Sequence, residues 1–281
     1  MKIVIAEHRG FCFGVERAIK KIEKLLHGNE QINYSIGPPI HNPQTIEKLR
    51  NEGLKIVNCL EEIEKGRLIV RAHGLSPQLI NQARVRNIEI VDMTCPFVKK
   101  AQERAYLLNK AGCTIIVVGE KAHPEVQSII GVISGNCYVV EKPADLDRLN
   151  LTNNKKIGLL AQTTQSNGNF QLITDRLIRE NPSKDIEIFN TICQATATRQ
   201  EEARTIAGRV DVVIVLGGKI SANTKRLAKI CREVGTDVHH IETAEGIEPS
   251  WFEGKNSVGL VTGTSTPEWI IKETTNRLEK Y

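Results

Sequence analysis

The chain is poor in aromatic residues and lacks the local cysteine patterns of two common protein classes. Phenylalanine, tryptophan and tyrosine make up 4% of its 281 residues, too few to build the aromatic clusters that bind single-stranded nucleic acid. Its seven cysteines include no CxxC pair, so neither a zinc ribbon nor a disulfide framework is indicated. We therefore expect reduced thiols, and no nucleic-acid partner despite a net charge of +5.

Long apolar runs are also missing. The longest are "TIIVV" at 114–118 and "VVIVL" at 212–216, far shorter than the roughly 18 residues that cross a bilayer. The first apolar run ends at Glu7, which is too early for a secretory signal. We therefore expect no membrane span and a cytoplasmic location. A composition that is 40% hydrophobic and 25% charged suits more than one α/β unit.

The sequence does contain three copies of one repeated unit. In each copy a cysteine precedes an amphipathic, helix-like run, and an apolar strand then ends at a glycine 24 or 25 residues after that cysteine. The three pairs are Cys12 with Gly37, Cys95 with Gly119, and Cys193 with Gly217. Internal repeats at a fixed spacing indicate a repeated structural unit.

Polar residues recur at two further places in each unit. Four residues after the glycines lie His41, His123 and Ser221, and a second apolar strand ends at His73, at Thr163, and at Thr264 with Ser265. A helix start follows, marked by Ser76 before Pro77 and by Thr266 before Pro267, because a capping hydroxyl followed by proline is typical of a first helical turn.

Alternating strands and helices of this kind predict parallel β/α units. The expected domains are residues 12–94, 95–192 and 193–281. The third copy ends in a helix rather than a strand, so the N-terminal strand within residues 1–11 should complete its sheet. Working residues of parallel sheets lie at the carboxyl ends of the strands. A pseudo-threefold packing would bring the three cysteines and the polar positions to one cavity.

Three thiolates at one point favour a 4Fe-4S cluster with one iron that lacks a protein ligand, since such clusters normally take four cysteines. Zinc bound by three cysteines and a histidine is the alternative metal site. The alternative without any metal is that the three cysteines are unrelated residues buried in the core. Gly10 and Gly14 flank Cys12 and allow a bulky group to approach. The other cysteines match no repeat position and are assigned to packing: Cys59, Cys113, Cys137 and Cys231.

The polar positions suit an anion. His41, His73, His123, Ser221, Asn223 and Ser265 fall on loops that lead into helices, whose N-termini offer free N–H groups and a partial positive charge. Several such termini aimed at one cavity would suit a diphosphate. Glu125 is the one carboxylate at such a position, and it is either a first-turn acid or a proton donor. His27, His239 and His240 match no repeat position and are expected to be structural or solvated.

Together these segments resemble the LytB/IspH family of 4-hydroxy-3-methylbut-2-enyl diphosphate reductases over essentially the whole chain. The segments that carry the resemblance are "GFCFGV", "GPPIHNP", "RAHG", "DMTCPFV", "GEKAHPEV", "AQTTQS", "NTICQATATRQ", "GGKISANT" and "GTSTP". Their combination and order are highly specific.

The resemblance implies an α/β fold in which three β/α domains form a trefoil around a 4Fe-4S cluster bound by Cys12, Cys95 and Cys193. The substrate hydroxyl would bind the open iron, and two electrons from a ferredoxin or flavodoxin would yield isopentenyl and dimethylallyl diphosphates. It further implies a diphosphate clamp formed by His41, His73, His123, Ser221, Asn223 and Ser265.

Glu125 would then be the proton source, with Thr163 and His123 beside it in the catalytic set. The pKa of Glu125 should be raised, because its ionisation would add charge to a closed, negative site. Ala222 departs from the family pattern, which commonly has a serine there. Two alternatives remain: a cluster-dependent hydro-lyase that needs no reductant, and a cluster- or metal-binding regulatory module without turnover.

Overall fold

The computed structural model describes residues 1–28, 31–152 and 155–281. Within them the chain forms twelve strands: β1 Lys2–Ile5, β2 Asn33–Ile36, β3 Leu54–Val57, β4 Arg67–Val70, β5 Glu89–Asp92, β6 Thr114–Val118, β7 Cys137–Val140, β8 Lys156–Ala161, β9 Asp185–Phe189, β10 Val212–Leu216, β11 Asp237–Ile241 and β12 Ser257–Thr262.

The same residues form nine α-helices: α1 Phe13–Gly28, α2 Pro43–Asn51, α3 Pro77–Val85, α4 Pro96–Lys110, α5 Pro124–Ile130, α6 Asn167–Glu180, α7 Gln194–Ala207, α8 Ala222–Glu233 and α9 Glu268–Leu278. Short 3-10 helices precede the third strand of each repeat, at Leu60–Glu62, Pro143–Arg148, Ala244–Gly246 and Pro249–Phe252.

The strands form three four-stranded parallel sheets with one common order. The sheets read β3-β2-β4-β5, β7-β6-β8-β9 and β11-β10-β12-β1. The α/β class of repeated parallel units predicted from the sequence is therefore confirmed. β1 pairs with β12, from Lys2 opposite Ser257 to Ile5 opposite Leu260, which is the place predicted for the N-terminal strand.

The chain divides into two compact units. One comprises Met1–Glu16, Ile40–Lys48 and Gln194–Tyr281, and it contains the third sheet. The other comprises Arg17–Pro39 and Leu49–Cys193, and it contains the first two sheets. The boundaries of the three predicted domains stay a prediction.

Central strands are buried on both faces, as parallel sheets require. Along β10, Val213 and Val215 pack with Leu227 of α8, while Val212 and Ile214 pack on the opposite face with residues of α9. Burying such side chains stabilises the fold by about 25 cal/mol per Å² of apolar surface. Each sheet is thus a rigid base for the loops at its strand ends.

One helix start differs from its prediction. Ser76 caps α3, its Oγ accepting a hydrogen bond from Leu79 N at 3.3 Å, and Pro77 opens the helix. In α9 the capping position is Pro267 rather than Thr266. The Thr266 hydroxyl is turned inward and donates to Leu216 O at 3.0 Å. It therefore links the start of α9 to strand β10 instead of capping the helix.

Candidate active site

The three repeated cysteines occupy one structural position. The amide of each donates to the carbonyl of the second residue beyond the third strand of a sheet: Cys12 N to Thr264 O at 2.9 Å, Cys95 N to Ala72 O at 3.0 Å, and Cys193 N to Thr163 O at 3.0 Å. All three are partly buried. Each is therefore fixed at the carboxyl edge of a sheet, where parallel α/β proteins bind ligands.

The remaining cysteines have a different character. Cys113 and Cys231 lie in apolar cores and Cys137 packs against one; burial raises the pKa of Cys137 and Cys231 to about 11 and raises that of Cys113. Cys59 is a correction, because it is exposed before a 3-10 helix. A hydrogen bond with Glu61 raises its pKa. In all four the raised pKa makes the thiolate, which is the metal-binding form, harder to reach.

Strand pairing also corrects the alignment of the polar positions. The third strands of the three sheets end at equivalent residues, namely Val70, Ala161 and Thr262. Ala161 pairs with Val118 and Thr262 pairs with Leu216, and each of these partners directly precedes a repeated glycine. Counting from them, Thr163 shares its position with Ala72 and Thr264. The next position holds His73, Thr164 and Ser265. His73 and Thr163 therefore belong to adjacent positions rather than to the same one.

The helix caps give a second correction. His123 caps α5 and Ser221 caps α8, with Nδ1 and Oγ accepting from the amides of Glu125 and Thr224 at 3.2 and 3.3 Å. In the first repeat the cap of α2 is Asn42, whose Oδ1 accepts from Thr45 N at 2.8 Å. His41 lies one residue before this cap. The "GPPIHN" loop is one residue longer than the loops that lead to His123 and Ser221.

In the larger unit the polar side chains surround a buried acid. Glu125 is 2% exposed, and Thr163 donates to its carboxylate twice: N to Oε1 at 2.5 Å and Oγ1 to Oε2 at 2.9 Å. Burial raises the pKa of Glu125 to about 7, although both bonds from Thr163 act to lower it. The predicted direction is confirmed, and within the chain itself its cause is desolvation. The contribution expected from a negatively charged cluster and diphosphate stays a prediction.

Two histidines lie close to this acid. The rings of His73 and His123 meet edge to face, with centroids 5.4 Å apart. Since Nδ1 of His123 accepts from Glu125 N, the neutral ring carries its proton on Nε2 and can donate there. Ser128 Oγ lies 2.8 Å from the carbonyl oxygens of both His73 and Glu125. We call His73, His123, Glu125 and Thr163 the acid cluster.

In the other unit the corresponding side chains include no carboxyl group, and we call His41, Ser221, Asn223 and Ser265 the amide cluster. Ser265 Oγ donates to His41 O at 3.2 Å. A Cβ on Gly218 would lie 2.3 Å from the same carbonyl, so only glycine fits there. Asn223 is 2% exposed, and neither of its amide atoms has a hydrogen-bond partner among the described residues.

Comparisons with known proteins cover the whole chain. The model of the family described as "LytB protein" matches residues 3–279. The chain belongs to the LytB family. It is 45% identical over 280 residues to the 4-hydroxy-3-methylbut-2-enyl diphosphate reductase of Geobacter metallireducens, covering all of this chain and 98% of that protein. The reductase of Syntrophotalea carbinolica is 46% identical, with 99% and 98% covered.

Solved structures of two relatives resemble this LytB-family chain. One is an (E)-4-hydroxy-3-methyl-but-2-enyl diphosphate reductase described as the terminal enzyme of the non-mevalonate pathway; it is 39% identical, with both chains fully covered and a TM-score of 0.71. The other is the E-1-hydroxy-2-methyl-but-2-enyl-4-diphosphate reductase from Plasmodium falciparum. It is 30% identical over 99% of this chain and 87% of that one, with a TM-score of 0.93.

Sequence reasoning missed two residues that shape these clusters. Ser128 joins the His73 carbonyl to α5, and Gly218 leaves room for the His41 carbonyl. The doubled glycine of "LGGKIS" was a usable signal for the second, because adjacent glycines at a strand end indicate close backbone approach. Within the described parts of this LytB-family chain, no helix is long and apolar enough to cross a membrane.

Proposed function

We propose that this LytB-family chain reductively dehydroxylates 4-hydroxy-3-methylbut-2-enyl diphosphate to isopentenyl and dimethylallyl diphosphates, as the last step of the non-mevalonate route to isoprenoids. Full-length relatives carry the name of this activity. The observation that carries the proposal in this chain is Glu125, a buried acid with a pKa of about 7 held by Thr163. Replacing a hydroxyl by hydrogen consumes two electrons and two protons and releases water, so a protonated acid is required.

The residues present fit an iron–sulfur cofactor. Cys12, Cys95 and Cys193 share one backbone environment, and the pKa of each of the other four cysteines is raised. These three thiolates would hold the 4Fe-4S cluster, which when bound supplies the electrons and an iron open to the substrate oxygen. Thiolate sulfur is the donor such clusters require, and a three-cysteine set leaves one iron for substrate. We propose a ferredoxin or flavodoxin as the electron donor.

Diphosphate binding would fall to the amide cluster and to the two histidines of the acid cluster. Ser221 caps α8, and Asn223 lies in the first turn of that helix with both amide atoms unsatisfied. A buried amide left unpaired costs about 1–3 kcal/mol, and phosphate oxygens accepting from its NH2 group would offset that cost. Free N–H groups at the α8 N-terminus favour an anion. His123, with its proton on Nε2, would donate to the same diphosphate, together with His41, His73 and Ser265.

Proton delivery would start at the Glu125 carboxyl. At neutral pH about half of these groups are protonated, because the pKa is about 7. The acid can pass its proton to Thr163 Oγ1, 2.9 Å away, while that hydroxyl gives its own proton to the departing hydroxyl of the substrate. Burial keeps bulk water from competing for this proton. Thr163 thus orients the substrate hydroxyl and connects it to Glu125.

The test is an assay of anaerobically purified protein in which iron and sulfide have been measured. With 4-hydroxy-3-methylbut-2-enyl diphosphate and a chemically reduced viologen, we expect both isoprenoid diphosphates, and no turnover without the reductant. Turnover without reductant, giving a dehydrated product, would instead identify a hydro-lyase. A protein that binds the cluster but turns over nothing under either condition would be a regulatory module, and the proposal would be wrong.

A further inference from the structure

A buried arginine lies next to the segment that leads to Cys12. Arg199 on α7 is 6% exposed, and its guanidinium donates to four backbone carbonyls. Nη2 donates to Arg9 O at 3.2 Å and to Gly10 O at 2.8 Å, while Nη1 donates to Thr262 O and Gly263 O, both at 3.2 Å. One side chain therefore joins two backbone segments.

These two segments are the ones that hold Cys12 in place. Residues 9 and 10 directly precede Phe11 and Cys12, and residues 262 and 263 directly precede Thr264, whose carbonyl accepts the Cys12 amide at 2.9 Å. Arg199 thus fixes both sides of the hydrogen bond that anchors this cysteine. Gly10 has a φ of +74°, a left-handed conformation that glycine adopts freely.

A similar arginine contact, with fewer hydrogen bonds, occurs one repeat later. Arg17 on α1 donates from Nη2 to Met93 O at 3.3 Å and to Thr94 O at 2.6 Å. These carbonyls belong to the two residues before Cys95. Arg17 follows Cys12 by five residues and Arg199 follows Cys193 by six, so in both cases the helix after one repeated cysteine braces the segment before the next. Arg17 is exposed where Arg199 is buried.

The third segment is held differently. Lys100 and Ala101 occupy the corresponding places after Cys95. The segment before Cys193 is bound through its own short side chains: Thr191 Oγ1 accepts from Ala161 N at 2.9 Å, and Asn190 Oδ1 accepts from Ile192 N at 3.1 Å. The three cysteines are thus alike in their amide bonds and unlike in what braces them.

We propose that Arg199 is a positioning residue for Cys12, and that Arg17 does the same for Cys95. Only arginine offers five N–H donors in a planar fork, enough to reach four carbonyls on two segments, whereas a lysine ammonium has three donors at one point. Its role as a positioning residue for a cluster ligand rests on the proposed function. The bracing of the Cys12 segment does not.

Hydrogen exchange of the apoprotein tests the bracing by itself. Arg199→Gln should raise amide exchange in the peptide containing residues 7–14 at least about tenfold, since losing hydrogen bonds to a charged donor removes that much protection. The peptide containing Cys95 should be unchanged. Arg17→Gln should give the reverse pattern. Arg204→Gln, an exposed change on the same helix α7, is the control for both.

Release of iron to a chelator from the anaerobically reconstituted protein then tests the link to the cluster. We expect at least about tenfold faster release from Arg199→Gln than from wild type or Arg204→Gln, a smaller increase from Arg17→Gln, and incomplete recovery in Arg199→Lys. Wild-type exchange and release in folded Arg199→Gln, or full recovery in Arg199→Lys, would overturn the proposal.

The remaining outcomes are also decisive. If the Arg199 variants do not fold, Arg17→Gln decides, and an unchanged Cys95 peptide in that variant overturns the proposal. If wild-type protein never retains iron, the proposed function fails, while the exchange experiment on the apoprotein still answers the question about bracing.

Discussion

Glu125 of the acid cluster and Asn223 of the amide cluster differ in how completely their polar atoms are satisfied. In the acid cluster the Glu125 carboxylate accepts two hydrogen bonds from Thr163, and Nδ1 of His123 accepts from the Glu125 amide. In the amide cluster both amide atoms of Asn223 are buried without a partner among the described residues. Glu125 can therefore hold a proton at neutral pH, and the unsatisfied amide of Asn223 is the group to which we propose that the diphosphate binds.

The largest expected effect comes from removing the proton of the acid cluster. Glu125→Gln keeps the size and a polar carboxamide but cannot transfer a proton, so kcat should fall by about 10²–10⁴-fold, the usual range for lost general-acid catalysis. Iron content and the binding of inorganic pyrophosphate should be unchanged. Steady-state assays with a strong artificial reductant measure the rate.

Glu141→Gln, which changes an exposed carboxyl in the same unit, is the control and should leave kcat unaltered. If Glu125 were only a first-turn acid, its replacement would cost about 0.3–1 kcal/mol of stability. A rate within a few-fold of wild type would thus remove Glu125 from the mechanism.

A second effect concerns stability and pH. Glu125 has a pKa of about 7 in the folded chain, against an ordinary 4.5, so between these values the folded chain keeps a proton that the unfolded chain releases. The contribution of Glu125 to the free energy of unfolding is therefore greatest below pH 4.5. It falls as the pH rises through 7, by about 3 kcal/mol in all.

Denaturant unfolding of the apoprotein at about pH 5 and about pH 8 measures this. The difference between wild type and Glu125→Gln isolates the titration, because glutamine does not ionise. We expect the variant to gain stability relative to wild type on going to the higher pH. A difference that stays constant would mean that the carboxyl titrates normally and that the acid cluster is open to water.

The repeat in the sequence was enough to predict the sheets, the place of β1 and the common position of the three cysteines. It was not enough to align the polar residues at the strand ends, because "TTQ" and "TSTP" each offer two adjacent polar residues. Only strand pairing shows that His73 and Thr163 occupy adjacent positions rather than the same one. The cap at Asn42 was missed because the extra residue in "GPPIHN" shifts the helix start. Burial of Glu125 depends on packing of distant segments, which no local pattern encodes.

Arg199 illustrates a signal that was present and unused. It lies on one helical face with Ala203 and Ile206, at spacings of four and three residues, and that face is buried. An arginine on the apolar face of a helix, surrounded by small residues, indicates a buried guanidinium that must find acceptors. The acceptors are carbonyls of remote segments, so their identity could come only from the structure.

The unsatisfied amide of Asn223 can be tested by replacing it with an apolar side chain of similar size. Asn223→Leu is close in volume and removes two unsatisfied atoms, so the apoprotein should gain about 1–3 kcal/mol in free energy of unfolding. Affinity for inorganic pyrophosphate should fall about tenfold to a hundredfold. Denaturant unfolding and titration calorimetry measure the two quantities.

Asn42→Leu is the matched control, because Asn42 is also buried but its Oδ1 caps α2. It should lose about 1 kcal/mol, as expected for a removed cap. A loss of stability in both variants would show that Asn223 is satisfied within the protein, and the contrast between the clusters would disappear.

The smallest expected effect distinguishes the two bonds that Thr163 makes to Glu125. The backbone amide bond to Oε1 survives any substitution, whereas the 2.9 Å bond from Oγ1 to Oε2 is lost in Thr163→Val and kept in Thr163→Ser. Because a bond donated to the carboxylate favours its ionised form, its loss should raise the pKa of Glu125 by up to about one unit, equivalent to about 1.4 kcal/mol. Carbon-13 NMR of the Glu125 carboxyl through a pH titration measures the shift in the apoprotein. The serine variant should titrate as wild type does. An unchanged pKa in Thr163→Val would mean that the amide bond alone holds the acid, and Thr163 would then have no hydroxyl contact through which to relay the proton.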